Sequence, residues 1–343
     1  MKNLIFLGFV AAIFATTSCT SEGVNNEADV RQTNAITFNS GLSSSRALNS
    51  LTDLTKFFVY GAKDGQTVLF DNQTVDRSAS GWTYTYASGN KPMWVAGSTY
   101  KFYAYSAENK DLGSKAAYSI EDGLTFTGVR VGDINNNFDL VYATPVEQIG
   151  KMTGNAAVPF KFKHILSQIH FVFKNATEND GNVPYDVTVT RVKLNGYELT
   201  GDFDGTEWNM DNYVTNYGTA DVDQYFTVNN ANSVTSSSFA LGESQKTVPL
   251  HVIPQTPLQN GDVVTLKFTY TITNRNDSTD TISKSFYANM YPEWKMGYRY
   301  NYIVDISLSS LEYIEFTAES LEDWSDASSA QLIELTEIKL GDY

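Results

Sequence analysis

Cys19 is the single cysteine of this 343-residue chain, and it stands directly behind a short apolar segment. Lys2 supplies a positive start, Leu4 to Phe14 form the apolar core, and Ala15-Thr16-Thr17-Ser18 are the small side chains a signal peptidase needs. The apolar stretch falls short of the roughly 20 residues that cross a bilayer, so residues 1–18 read as an export signal. A cysteine at the cleavage point is the residue on which a bacterial lipoprotein carries its acyl chains. Cys19 is therefore expected to become a lipidated N-terminus. The alternative is a plain secretory signal followed by an incidental cysteine.

Other reactive side chains are spaced less suggestively. His164, His170 and His251 fall on predicted strands without the paired spacing of a zinc site, and read as structural. Asp133, Asn135, Asn137 and Asp139 alternate like the start of a calcium loop. Phe138, however, occupies the place of the tight-turn glycine, and Thr144 the twelfth position. Gly-rich phosphate loops, a Gly-x-Ser-x-Gly elbow and helix-borne metal motifs do not occur, and the carboxylates stand singly among turns. The expectation is a protein without catalytic residues, metal or cofactor, and not an enzyme. Trp82, Tyr84, Tyr86, Met93 and Trp94 offer either a flat platform for a sugar or part of a core and its rim.

These side chains must be carried by strands. The chain is 13% aromatic and only 18% charged, with 21 tyrosines, a β-rich composition. Once Cys19 is set aside no disulfide can form, so stability must come from burial. A net charge of −15 opposes binding to nucleic acid. Residues 19–34 are polar and small, as expected of a tether. Period-two alternation then recurs in short blocks: Ile36 and Phe38; Phe58 and Tyr60; Trp82, Tyr84 and Tyr86; Tyr100 and Phe102, with Tyr103 and Tyr105 on the other parity. Each predicts a strand with one buried face. Phe160 and Phe162 share one parity and Ile169, Phe171 and Phe173 the other, so a bulge or bend is expected between His164 and Gln168.

In the second half, Val264 to Ile272 alternate cleanly, and Asp277 to Asp280 is expected to turn the chain into a hairpin with Ile282 to Tyr287. Tyr298 to Leu308 forms the longest unbroken pattern, expected at the centre of its sheet. The polar run from Lys174 to Pro184 suggests a boundary between a sandwich over 35–178 and another over 179–343. The fold class expected is all-β, built as β-sandwiches.

Seven blocks in order resemble the fimbrillins, the major and minor subunits of type V pili of Bacteroidota, fimbrillin-like lipoproteins included. They are Ala35-Ile36-Thr37-Phe38-Asn39, Phe102-Tyr103-Ala104-Tyr105-Ser106, Asp139-Leu140-Val141-Tyr142-Ala143, Phe162 to Ile169, His251-Val252-Ile253-Pro254-Gln255, Trp294 to Tyr300, and Glu322-Asp323-Trp324. The resemblance implies two tandem transthyretin-like β-sandwich domains with Greek-key connections. It further implies a surface subunit, exported as a lipoprotein to the outer membrane, cut by an Arg- or trypsin-like protease and polymerised by strand exchange with other pilus subunits.

On that basis Ile36 and Phe38 belong to a removable strand, and Arg46-Ala47, in a loop of small residues, is the expected cleavage point. The other reading of Arg46 is a solvated loop arginine. The tail 331–343 carries Leu332, Ile333, Leu335, Ile338 and Leu340, and either enters a neighbour's groove or folds back on its own domain. Ser278 and Thr281 stand in Asp-Ser-Thr and Asp-Thr-Ile, which resemble Bacteroidota O-glycosylation acceptors and are also ordinary turn residues. A tip adhesin or anchored lipoprotein that binds a host glycan or protein, without forming a stalk, is the alternative function.

Overall fold

The computed structural model describes residues 34–40, 54–133, 136–175, 177, 185–211, 239–240, 244–246, 249–255, 264–290, 292–306, 313–317, 325–326 and 333–337. Within them the chain is all-β, apart from 3-10 geometry at Gly113–Lys115 and at Asp211. In chain order the first strands are β1 (Phe38–Ser40), β2 (Lys56–Lys63), β3 (Thr67–Ser78), β4 (Gly81–Thr83), β5 (Thr99–Ala107), β6 (Ala116–Ser119), β7 (Gly123–Arg130) and β8 (Leu140–Ala143). There follow β9 (Val146–Ile149), β10 (Val158–Phe160), β11 (Phe162–His164), β12 (Ser167–Asn175), β13 (Tyr185–Asn195), β14 (Thr200–Phe203), β15 (Trp208–Asn209) and β16 (Phe239–Ala240). The last are β17 (Ser244–Lys246), β18 (Leu250–Val252), β19 (Val264–Asn274), β20 (Asp277–Met290), β21 (Tyr298–Ile306), β22 (Tyr313–Thr317), β23 (Ser325–Asp326) and β24 (Ile333–Glu337).

Four sheets result. β1 pairs β10 alone; a seven-stranded sheet runs β11-β8-β5-β2-β3-β4 with β9 beside β5; a four-stranded sheet runs β15-β14-β7-β6. The eleven-stranded sheet runs β16-β13-β19-β20-β24-β22-β21-β12-β17, with β18 on β12 and β23 on β21.

The seven-stranded sheet is the middle of three layers, which corrects the expectation of one buried face. On β5, Tyr100, Phe102 and Ala104 enter the core shared with β1 and β10, while Tyr103, Tyr105 and Ala107 enter the core shared with the four-stranded sheet. On β2, Phe57 and Val59 divide from Phe58 and Tyr60 in the same way. Two-sided burial explains why these strands read as near-continuous apolar runs.

The parity flip between His164 and Gln168 marks a change of sheet. β11 ends in the seven-stranded sheet, Ile165 and Leu166 drop into the core beneath it, and β12 opens in the eleven-stranded sheet. Pairing also crosses residue 178 in both directions. β7 pairs β14, and β12 pairs β17, β18 and β21. Sheet membership therefore does not follow chain order there.

Within the eleven-stranded sheet, β12 and β21 face β13, β19 and β20 across a core that includes Phe171 stacked on Tyr302 and Phe173 against Phe268. β21 lies inside this sheet, between β12 and β22. The β19–β20 hairpin forms with Ile272 opposite Ile282. Its turn is at Arg275 and Asn276, not at Asp277 to Asp280. Asn274 pairs Asp277 and Thr273 pairs Thr281, so residues 278–280 form a bulge on β20.

Candidate functional site

Residues 34–40 form an insert bonded on both flanks. On one flank, Ile36 N–H donates to the Pro92 carbonyl (2.9 Å) and Trp94 N–H to the Asn34 carbonyl (3.1 Å), around an antiparallel bridge of Ala35 with Met93. On the other, Val158 N–H donates to the Thr37 carbonyl (2.8 Å), and Phe38, Asn39 and Ser40 run parallel to Val158, Pro159 and Phe160. The Tyr84 hydroxyl donates to the Ile36 carbonyl (2.7 Å), and burial pushes the ionisation of that hydroxyl well above its usual range. It therefore stays a neutral donor. Asn155 Nδ2 holds Asn34 Oδ1 at 2.7 Å, and Asn34 Nδ2 donates to the Trp94 carbonyl at 3.0 Å.

Ile36 is 0% and Phe38 4% exposed, whereas Thr37 between them and Asn39 after them are exposed. The Phe38 ring sits among Phe70 (5.1 Å between centroids), Tyr84 (5.4 Å), Phe160 (5.8 Å) and Phe102 (5.9 Å). Without this segment the remainder would present an aromatic-lined trench, with unpaired Trp94 and Val158 N–H groups and an unpaired Pro92 carbonyl along its walls. Such a trench accepts a strand, since main-chain bonds supply affinity and pockets for alternate side chains supply selectivity.

The two candidate strand residues, Ile36 and Phe38, thus meet in one groove. Cys19, Arg46, Ala47, Leu332, Ile338 and Leu340 lie outside the described residues. Ile333 and Leu335 fall on β24, which pairs antiparallel with β20 and with β22 of the same chain. Ser278 and Thr281 are exposed at and beside the β20 bulge, where Thr279 rather than Ser278 donates its hydroxyl to Asp277 (2.6 Å). Of the aromatic cluster, Tyr84 and Trp94 are buried walls of the groove, and Trp82 packs at a tilt against Phe57, 4.7 Å between ring centroids. They serve the core and its rim.

Sequence separation concealed a second cluster. His164 Nδ1 lies 2.8 and 3.0 Å from the two Asp139 oxygens, and both residues are buried. Gln168 Oε1 accepts from Arg299 Nε (2.5 Å) and contacts His170 Nε2 (2.9 Å), so its amide donates to His251 Nε2 (3.1 Å). Burial pulls the pKa of His251 down, partly opposed by Asp139 and Glu108. A neutral ring accepting at Nε2 fits that direction. Burial alone raises Asp139, and the adjacent His164 outweighs it, leaving that carboxyl below the usual range. Asn137 bridges to the same place, accepting from His251 N–H (2.9 Å) and donating to the Pro249 carbonyl (2.9 Å). Asp133 pairs with Arg130 and accepts from Asn136 Nδ2 (2.8 Å). Asn135 lies outside the described residues; Asp133, Asn137 and Asp139 are spent on separate partners, and this cluster ties the seven-stranded sheet to the eleven-stranded one. Only a turn that brings β11 straight into β12 hinted at it.

Comparison with known proteins bears on the family and the fold. A family profile described as fimbrillin-like matches residues 45–324. Among curated proteins, none matches the sequence. Among solved structures, a fimbrial protein from Bacteroides vulgatus is similar at 18% identity over 84% of this chain and 99% of its own, with a TM-score of 0.59. A candidate cell adhesion protein from Bacteroides uniformis is similar at 16% identity over 85% of this chain and 98% of its own, with a TM-score of 0.43. The first of these likenesses supports a shared fold.

Proposed function

This chain belongs to the fimbrillin-like family, and on that premise we propose that it is a structural subunit of a surface fimbrium that polymerises by exchanging the strand at residues 34–40. The family is structural and adhesive, not enzymatic. What supports strand exchange is the groove: Ile36 and Phe38 fill apolar pockets from a segment bonded to its neighbours mainly through backbone groups. A segment of that kind can be replaced by another chain's strand of matching pattern.

The precursor is exported and lipidated at Cys19, which anchors it at the outer membrane. Proteolysis after Arg46 leaves Ala47 as the new N-terminus and releases residues 34–40 with everything before them. The open groove then takes a strand from the next subunit. The body consists of two transthyretin-like sandwiches with Greek-key connections, the first around the groove and the second around the β19–β20 hairpin. Ser278 and Thr281, exposed on that hairpin, carry O-glycans, and the assembled fibre adheres to host glycan or protein.

The test uses the chain without its signal and Cys19. It is treated with a trypsin-like protease; the new N-terminus is read by mass spectrometry and assembly by unboiled gel and negative-stain microscopy. A start at Ala47 followed by filaments, both lost in Arg46→Ala, is the expected result. Clean cleavage that leaves a monomer would reassign the protein to a fibre tip or anchor, and resistance at Arg46 would remove the processing step.

A further inference from the structure

The two walls of the groove are tied to each other at Asn34. Its carbonyl accepts from Trp94 N–H (3.1 Å) and its Nδ2 donates back to the Trp94 carbonyl (3.0 Å), so the first wall is gripped twice. Its Oδ1 accepts from Asn155 Nδ2 (2.7 Å), and Asn155 leads directly into β10, the second wall. A small turn fixes Asn155 in its place: the side chain accepts from Lys151 N–H (2.8 Å) and donates to the Lys151 carbonyl (2.8 Å).

Neither amide can be turned round. Lys151 N–H can only donate, which sets Asn155 Oδ1 against it and leaves Nδ2 one hydrogen for the Lys151 carbonyl and one for Asn34. The Trp94 carbonyl can only accept, which sets Asn34 Nδ2 against it and turns Oδ1 towards Asn155. Both carboxamides are thus engaged at oxygen and nitrogen alike, and a fully satisfied polar network rigidifies what it joins. An aspartate at 155 would keep the bond from Lys151 N–H but set its second oxygen against two others. Among the described residues, side-chain hydrogen bonds to the insert reach only Asn34 and Ile36. Residues 37–40 are held by the packing of Phe38 and by the backbone pairing to 158–160.

We infer, resting on the strand-exchange function proposed above, that Asn155 is a positioning residue that pins the Asn34 end of the insert, so that residues 37–40 unseat first and the Asn34–Asn155 clasp opens last, setting how fast the cut strand departs. A cut after Arg46 touches none of the contacts of residues 34–40 described above; it frees the chain beyond Ser40. Phe38 can then lift from its pocket while Asn34 stays bonded to both walls. The fragment hangs by residues 34–36 until the two amides part, and it can still reseat up to that moment.

Two measurements on the chain without its signal and Cys19 test this. In the first, a fluorophore on the N-terminal amine reports by anisotropy how fast the fragment leaves after cleavage at Arg46. Asn155→Ala should speed departure about 2- to 10-fold, the worth of one hydrogen bond, and Asn155→Asp at least as much. In an Asn34→Ala background, which already lacks the bond, Asn155→Ala should add nothing; an equal acceleration in both backgrounds would mean that Asn155 acts only through its own turn, and would overturn the clasp. In the second, native-state hydrogen exchange of the uncut chain compares two flank amides. Asn155→Ala should speed Trp94 by the same factor and leave Val158, bonded to Thr37, at its wild-type rate. Equal acceleration of the two, or none at Trp94, would overturn the order of unseating. If Arg46 resists cleavage, or the wild-type fragment never leaves, strand exchange falls, and the exchange rates of the uncut chain still decide the clasp.

Discussion

Replacing Phe38 by alanine removes a ring that is 4% exposed and packed against four others at 5.1–5.9 Å. Core Phe→Ala changes cost about 3–5 kcal/mol, and the density of rings here favours the upper part of that range. If residues 34–40 are an insert that can leave while the rest stays folded, the whole loss falls on the equilibrium between seated and unseated strand. Unseating then becomes roughly 10²- to 10⁴-fold more populated. Native-state hydrogen exchange reads this directly. The amides of Ile36, Trp94 and Val158, which form the bonds along the two flanks, should exchange faster by that factor, while the amides of Phe268 and Tyr270 in the β19–β20 hairpin keep their wild-type rates. Acceleration shared equally by the hairpin would mean that the strand opens only with the whole molecule. No acceleration at Trp94 and Val158 would mean that Phe38 does not hold the strand. Either result would refute separable seating.

Two further outcomes follow from the core. His251 titrates below its ordinary 6.5 because burial disfavours its charged form, so its contribution to stability is complete above about pH 6.5 and is lost as the pH falls through the lower folded-state value. Melting temperature should therefore decline from pH 6.5 towards pH 5 and decline less in His251→Gln; an identical slope in the two proteins would exclude His251 as the cause. Asp139, held below its usual value, adds a second loss only when the pH drops below about 3.8. Gly150→Ala would set a Cβ 2.2 Å from the Val95 carbonyl oxygen. It should destabilise by about 1–3 kcal/mol in urea unfolding, and an unchanged midpoint would show that this contact yields freely.

Much of the groove is legible in the sequence itself. The alternation of Ile36 and Phe38 with polar neighbours is a local property, and a half-buried strand has no other way to write it. The β19–β20 hairpin is legible for the same reason, but its turn is not. Asp277 to Asp280 carry turn-forming residues, while Arg275 and Asn276 do not stand out, and the bulge that absorbs residues 278–280 depends on the register of two strands together. Tyr103 and Tyr105 signal a second parity on β5, yet a single chain segment cannot say that another sheet waits on its far side. That sheet is supplied partly by β14, whose first residue, Thr200, stands 95 positions after Tyr105. The His164, His170 and His251 cluster is illegible because its members meet only after β11, β12 and β18 have found their sheets.

The two-flank bonding of residues 34–40 also has a mechanical meaning. A strand held over residues 34–36 by 92–94 on one side and over 37–40 by 158–160 on the other, when pulled along its own axis, is loaded in shear: the bonds stretch together and must fail together. Peeling from one end would break them singly, at lower force. A donor strand seated in the same trench would therefore resist tension along a fibre far better than its few bonds suggest at rest, and would yield readily only when lifted out sideways.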